Sequence, residues 1–132
     1  MVIDTSAILA ILLAEPDAGK FAEAIEHAEG GSLSAASYLE SAIEIDGRGD
    51  AVASREFDLF MRRSGVLVAP VTFEQAQIAR QAYRDFGKGR HPAGLNFGDC
   101  LSYALAKSLD EPLLFKGKDF SLTDVQSVGS PR

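Results

Sequence analysis

At 132 residues, 46% apolar and 24% charged, the chain has the composition of one ordinary globular domain, residues 1–132, large enough for a real core. One cysteine excludes an intramolecular disulfide and suits a reducing compartment. The formal net charge of −6 argues against a protein that binds nucleic acid by bulk charge alone.

The charge is unevenly spread. Residues 1–79 carry 5 Lys/Arg against 13 Asp/Glu, whereas residues 80–132 carry 8 against 6. The second part therefore offers a basic flank that includes Arg80, Arg84, Lys88, Arg90, Lys116 and Lys118. No apolar run reaches the length that spans a bilayer. The apolar stretch 7–14 follows Asp4 and no basic segment, so it does not read as a signal peptide. The expectation is a cytoplasmic protein with no membrane partner.

Val2 and Ile3 read as a short strand ending on Asp4, and residues 7–14 as a helix after the helix-start pair Thr5 and Ser6. Pro16 and Asp17 restart a second helix, with Phe21, Ala22, Ile25 and Ala28 on its apolar face. Gly30 and Gly31 end it. Residues 32–34 suit a short buried strand, and the following SAASYLESAIEID a helix with Leu39, Ala42 and Ile43 on one side. A turn at 47–49 precedes a helix over 50–63, with Val52, Phe57 and Phe60 among its apolar positions. Residues 66–69 form a clear strand stopped by Pro70, and Thr72 opens a long helix through Ala76, Ala79, Ala82 and Tyr83. The run GKGRHP breaks it. A helix over 96–109, a strand over 112–115 and a further strand over 125–128 complete the chain. Short apolar strands alternating with helices predict an α/β fold with a parallel sheet covered on both faces.

In such sheets ligands bind beyond the carboxyl ends of the strands, near a topological switch point. Four acids stand there. Asp4 follows the first strand, Glu40 lies one turn into the helix after the second, Asp99 lies in the first turn of the penultimate helix, and Asp119 follows the strand over 112–115. Clustered carboxylates supply hard oxygen ligands for magnesium or manganese, and such ions drive phosphodiester hydrolysis. Each acid also has a purely structural explanation. Ser37-x-x-Glu40 and Asn96-x-x-Asp99 have the form of capping boxes, Asp4 suits a helix cap, and Asp119 suits a turn. Jointly they are harder to dismiss, because carboxylates gathered without a cation repel one another. His91 is a candidate substrate contact or a plain surface histidine, Cys100 a small core residue, and Tyr38, Tyr83 and Tyr103 core positions. GKGRHP lacks the order of a phosphate-binding loop. Two other readings fit the fold class. A receiver or phosphoryl-transfer domain lacks its paired acids after the first strand, since Thr5 and Ser6 follow Asp4. A non-catalytic binding domain would use the acids as caps only.

The segments MVIDTSAILAILLAEP, SAASYLE, GLNFGDCLSYALAK and PLLFKGKDFSLTDV together resemble the PIN-domain family, and within it the VapC toxins of bacterial toxin–antitoxin systems. The resemblance covers essentially the whole chain. It implies a three-layer α/β/α fold with a mainly parallel sheet of four to five strands. It implies a magnesium- or manganese-dependent endoribonuclease acting on RNA, a homodimer, and inhibition by a cognate antitoxin protein. Asp4 and Asp99 would be the main metal ligands, Glu40 would join them directly or through water, and Asp119 would complete the catalytic set. One departure stands out. Many relatives carry the fourth acid where this chain has Gly117, which moves that role to Asp119, with Asp124 a more distant alternative.

Overall fold

A computed structural model describes residues 1–129. Four strands, β1 (Val2–Ile3), β2 (Ser32–Ser34), β3 (Leu67–Ala69) and β4 (Leu113–Leu114), form one sheet in the order β3-β2-β1-β4, every pair parallel. Six helices connect and cover it: α1 (Thr5–Leu12), α2 (Ala18–His27), α3 (Ala35–Asp46), α4 (Ala51–Arg63), α5 (Phe73–Phe86) and α6 (Phe97–Leu109). A short 3-10 helix, Asp119–Leu122, follows β4.

The strands are short but their alternation is decisive. Val2 and Leu113 join the core formed with α5 and α6, through Leu95, Leu101, Ala104 and Leu105. Their neighbours Ile3 and Leu114 point the other way, into a second core with Ile8, Phe21, Ile25, Leu33, Ile45 and Phe57. Successive strand residues face opposite sides of a sheet, so two consecutive apolar residues are what a sheet covered on both faces requires. Ile3, Leu33 and Leu113 are fully buried, each contributing roughly 1.5–3 kcal/mol of burial free energy.

Helix starts follow local chemistry. Asp4, Ser34, Asp50, Thr72 and Asn96 each accept a backbone N–H of the helix they precede, the preferred residues for that position. Helix α1 begins two residues before the expected start, because Asp4 itself is the cap. The expected strand over 125–128 is not a strand. It is reduced to one parallel bridge between Leu113 and Ser127, held by Leu113 N–H to Gln126 and Val128 N–H to Leu113.

The chain steps from β1 to β2 to β3 in one direction and then crosses back to place β4 on the far side of β1. The switch point therefore lies between β1 and β4, and Asp4 sits at its carboxyl edge. The Ser6 hydroxyl accepts the Lys116 N–H at 2.9 Å and so ties the two strand ends together.

Candidate metal centre

Asp4 is 4% exposed. Its Oδ2 accepts the Ser6 N–H at 3.0 Å and the Ser6 hydroxyl at 2.6 Å. Its Oδ1 accepts the hydroxyl of Ser102 at 2.6 Å. Ser102 is fully buried and touches the Ser37 hydroxyl at 3.1 Å. The cap reading of Asp4 is thus correct as far as Oδ2 goes. Oδ1 is held by a serine 98 positions away, which no helix cap needs.

Glu40 caps nothing. Helix α3 starts at Ala35 with Ser34 as its cap, so Ser37 lies inside the helix and directs its hydroxyl to Ser102. The expected capping box is absent for that reason. Glu40 instead accepts the buried hydroxyl of Thr5 at 2.6 Å, joining α3 to α1.

Asp99 is a full capping box with Asn96: Asn96 N–H to Asp99 Oδ2 at 3.0 Å, and Asp99 N–H to Asn96 Oδ1 at 2.9 Å. Even so, its carboxyl is pushed up from 3.8 to about 6. Burial is the main cause, opposed by the Asn96 hydrogen bond and reinforced by the charges of Asp4, Asp119 and Glu40. The capping role does not exclude a ligand role, since a helix N-terminus both stabilises a carboxylate and orients it.

Asp4, Glu40 and Asp99 line one cleft of about 300 Å³, together with Thr5, Ser6, Leu9, Asn96 and a fourth acid, Glu44. The sequence reading missed Glu44. Its position four residues after Glu40 puts both carboxylates on one helix face, and that spacing was the available signal. It also missed Ser102, a buried serine in the apolar run of α6. Apart from Leu9, the lining is carboxylates, hydroxyls and the Asn96 amide, with no thiol or imidazole, a donor set that suits a hard divalent cation over a thiophilic one. Glu44 pairs with Arg48 at 3.7 Å, whereas Asp4, Glu40 and Asp99 have no ion-pair partner among the described residues. As they lie, no three His, Cys, Asp or Glu side chains among the described residues close into a ready cage. Asp4, Glu40 and Asp99 share a cleft, and each accepts a serine or threonine hydroxyl or a backbone N–H there.

The PIN domain family model matches residues 1–126. The chain belongs to the PIN domain family. Its curated relatives place it among the VapC ribonucleases: Ribonuclease VapC28 of Mycobacterium tuberculosis is 56% identical over 127 residues, covering 96% of each chain. Two solved structures share the fold. The M. tuberculosis toxin VapC20, described as cleaving the sarcin-ricin loop, superimposes with a TM-score of 0.72 at 19% identity, covering 96% of this chain and 97% of that one. A toxin–antitoxin complex from Klebsiella pneumoniae gives 0.67 at 14% identity, with 91% and 89% covered.

The remaining PIN-domain expectations divide. Asp119 is exposed on the 3-10 helix and does not line the cleft, though its charge reaches Asp99. Asp124 is engaged elsewhere, accepting the Tyr103 hydroxyl at 2.5 Å and pairing with Lys107 at 3.0 Å. His91 turns Nδ1 to the Ala93 N–H and packs edge-on against Phe86, a loop-closing role. Cys100 is buried, its thiol pushed up to about 11 by burial and by Asp99. Tyr103 is core, but Tyr83 is 44% exposed, with the Arg90 guanidinium over its ring. Lys116 does not belong to the free basic flank, because it pairs with Glu15 at 2.6 Å and Asp17 at 3.2 Å. Strand β3 ends at Ala69 and Pro70 with no acid, so the receiver reading has no phosphoacceptor there.

Proposed function

We propose that this chain is a divalent-cation-dependent endoribonuclease, the toxin of a toxin–antitoxin pair, built as one nuclease domain over residues 1–132. The observation that carries this reading is the convergence of Asp4, Glu40 and Asp99 on one cleft at the sheet's switch point. The 56% identity to a curated ribonuclease supports it.

Asp4 and Asp99 are the residues to hold magnesium or manganese, with Glu40 beside them. When bound, such an ion lowers the pKa of water and offsets the charge developing on phosphate. The protein's own contribution is preorganisation. Ser6 and Ser102 fix both oxygens of Asp4, Thr5 fixes Glu40, and the Asn96 capping box fixes Asp99. Arg80, Arg84, Lys88 and Arg90 make no ion pair among the described residues. With Lys118, also unpaired among those residues, they are the cations of the basic flank available to position an RNA backbone, which the acidic cleft alone would repel. Asp119 tunes the field of the site from its edge.

The same cleft suits an antitoxin that covers it with a basic segment, and the toxin–antitoxin complex among the structural neighbours supports such a partner. A homodimer is supported by large apolar side chains left in solvent: Leu39 and Ile43 on α3, Phe73 on α5 and Phe97 on α6 are each more than half exposed. Large apolar side chains left in solvent are candidates for an interaction surface.

The test is RNA cleavage with and without magnesium or manganese. Asp4→Asn and Asp99→Asn keep a cap acceptor in place, so both should fold and neither should cut. Wild-type cutting by either variant, or full cutting in chelator, rejects the reading.

A further inference from the structure

Gly98 is the second residue of α6 and is buried. A Cβ at this position would lie 2.8 Å from Oε1 and 2.9 Å from Cδ of Glu40, and nearer still to Oε2. Packed carbon atoms sit about 3.5–4.0 Å apart, so a side chain at 98 and the Glu40 carboxylate cannot share that space. The backbone does not ask for glycine there. It is regular helix, where alanine is the better residue. On its other side the same carboxylate accepts the Thr5 hydroxyl at 2.6 Å. The acid of α3 is thus clamped between a hydroxyl of α1 and the bare backbone of α6, immediately before Asp99.

We propose that Gly98 is a positioning residue of the nuclease site: its missing side chain admits Glu40 to the cleft beside Asp99, and Thr5 holds it there. The proposal rests on the reading that Glu40 belongs to the site. Gly98 touches neither cation nor RNA in this account and acts only through Glu40. A side chain at 98 rotates the Glu40 carboxylate outward, breaks its bond to Thr5 and removes one negative group from the cleft. Glutamate is a flexible side chain at an exposed position, so the fold tolerates that rotation while the site does not.

The experiment compares wild type, Gly98→Ala, Glu40→Ala and the double variant. Three quantities are measured: manganese affinity by calorimetry, the RNA cleavage rate, and the melting temperature without divalent ions. Gly98→Ala should melt no lower than wild type, yet lose roughly 10- to 100-fold in manganese affinity and cleavage, the range for residues that orient metal ligands. In the Glu40→Ala background the same substitution should change neither quantity further, because the carboxylate it displaces is gone. Wild-type affinity and rate in Gly98→Ala overturn the proposal. So does an equal further loss in the Glu40→Ala background, which would mean that Gly98 acts by another route. If Glu40→Ala alone binds manganese and cuts like wild type, Glu40 is not part of the site and the proposal falls with that reading. Should Gly98→Ala fail to fold, the double variant must fold, since the clash has been removed. Failure of both rejects the clamp.

Discussion

Asp99→Asn should make the metal-free protein more stable at neutral pH while abolishing its chemistry. The carboxyl of Asp99 is raised from 3.8 to about 6 by burial and by three acidic neighbours. Each pKa unit is worth about 1.4 kcal/mol, which sets a ceiling of about 3 kcal/mol. Asp99 is only half-buried, so solvent screening reduces the expected gain to about 1 kcal/mol. For a chain of this size that is a rise in melting temperature of about 3–5 °C. The sign follows from proton linkage. Below about pH 4 both states are protonated and the charge costs nothing. Between about pH 4 and 6 the folded state keeps its proton while the unfolded chain gives it up, so stability falls as pH rises. Above about pH 6 the full penalty applies. Asparagine retains the oxygen that accepts the Asn96 N–H at 3.0 Å, so the cap survives and only the charge is removed. The assay is thermal unfolding in chelator at about pH 7.5 and about pH 4. The variant should melt higher than wild type at the first and level with it at the second. Added manganese should raise wild type by mass action and the variant far less. An unchanged or lower melting temperature for Asp99→Asn at about pH 7.5 would show that the cleft carries no electrostatic cost, and would refute the reasoning.

Two further outcomes separate the edge of the site from its centre. Asp119→Asn should lower RNA cleavage roughly tenfold, because Asp119 is exposed and reaches Asp99 only through its charge; a loss as complete as that of Asp4→Asn would make it a direct ligand. The proposed homodimer is tested by Ile43→Glu on the exposed face of α3: wild type should be dimeric in light scattering and the variant monomeric, with no loss of melting temperature. An unchanged mass would remove α3 from the interface.

In the proposed site, the carboxylates that would hold a cation are the same groups whose charge weakens the metal-free fold. Asp4, Glu40, Asp99 and Glu44 face the same space, and like charges at short range destabilise the fold unless a cation enters. Hydroxyl groups moderate this. Ser6, Ser102 and Thr5 donate to the carboxylates, and each such charge-assisted bond is stronger than a neutral one.

What the sequence by itself determined is what short-range chemistry decides. Val2 and Ile3, and Leu113 and Leu114, are consecutive apolar residues in short runs, which marks strands buried on both faces. Asp50, Thr72 and Asn96 sit one residue ahead of apolar-periodic runs and do cap them. Asp4 and Asp99 were legible because strand ends and helix starts lie at known places in a parallel sheet. Only the tertiary structure decided how the site is supported. A local pattern made Ser37 and Glu40 look like a capping box, but one turn of register moved Glu40 to Thr5, 35 residues away. Ser102 reaches Asp4 across 98 residues, and the need for glycine at 98 arises from a side chain on another helix. Residues 125–128 had the composition of a strand but found a single bridge, because β4 itself is only two residues long. Lys116 left the basic flank when folding brought Glu15 and Asp17 beside it. These contacts depend on how α1, α3 and α6 pack over one sheet edge. Spacing along the chain does not encode such packing, since the partners are close only after the sheet has formed.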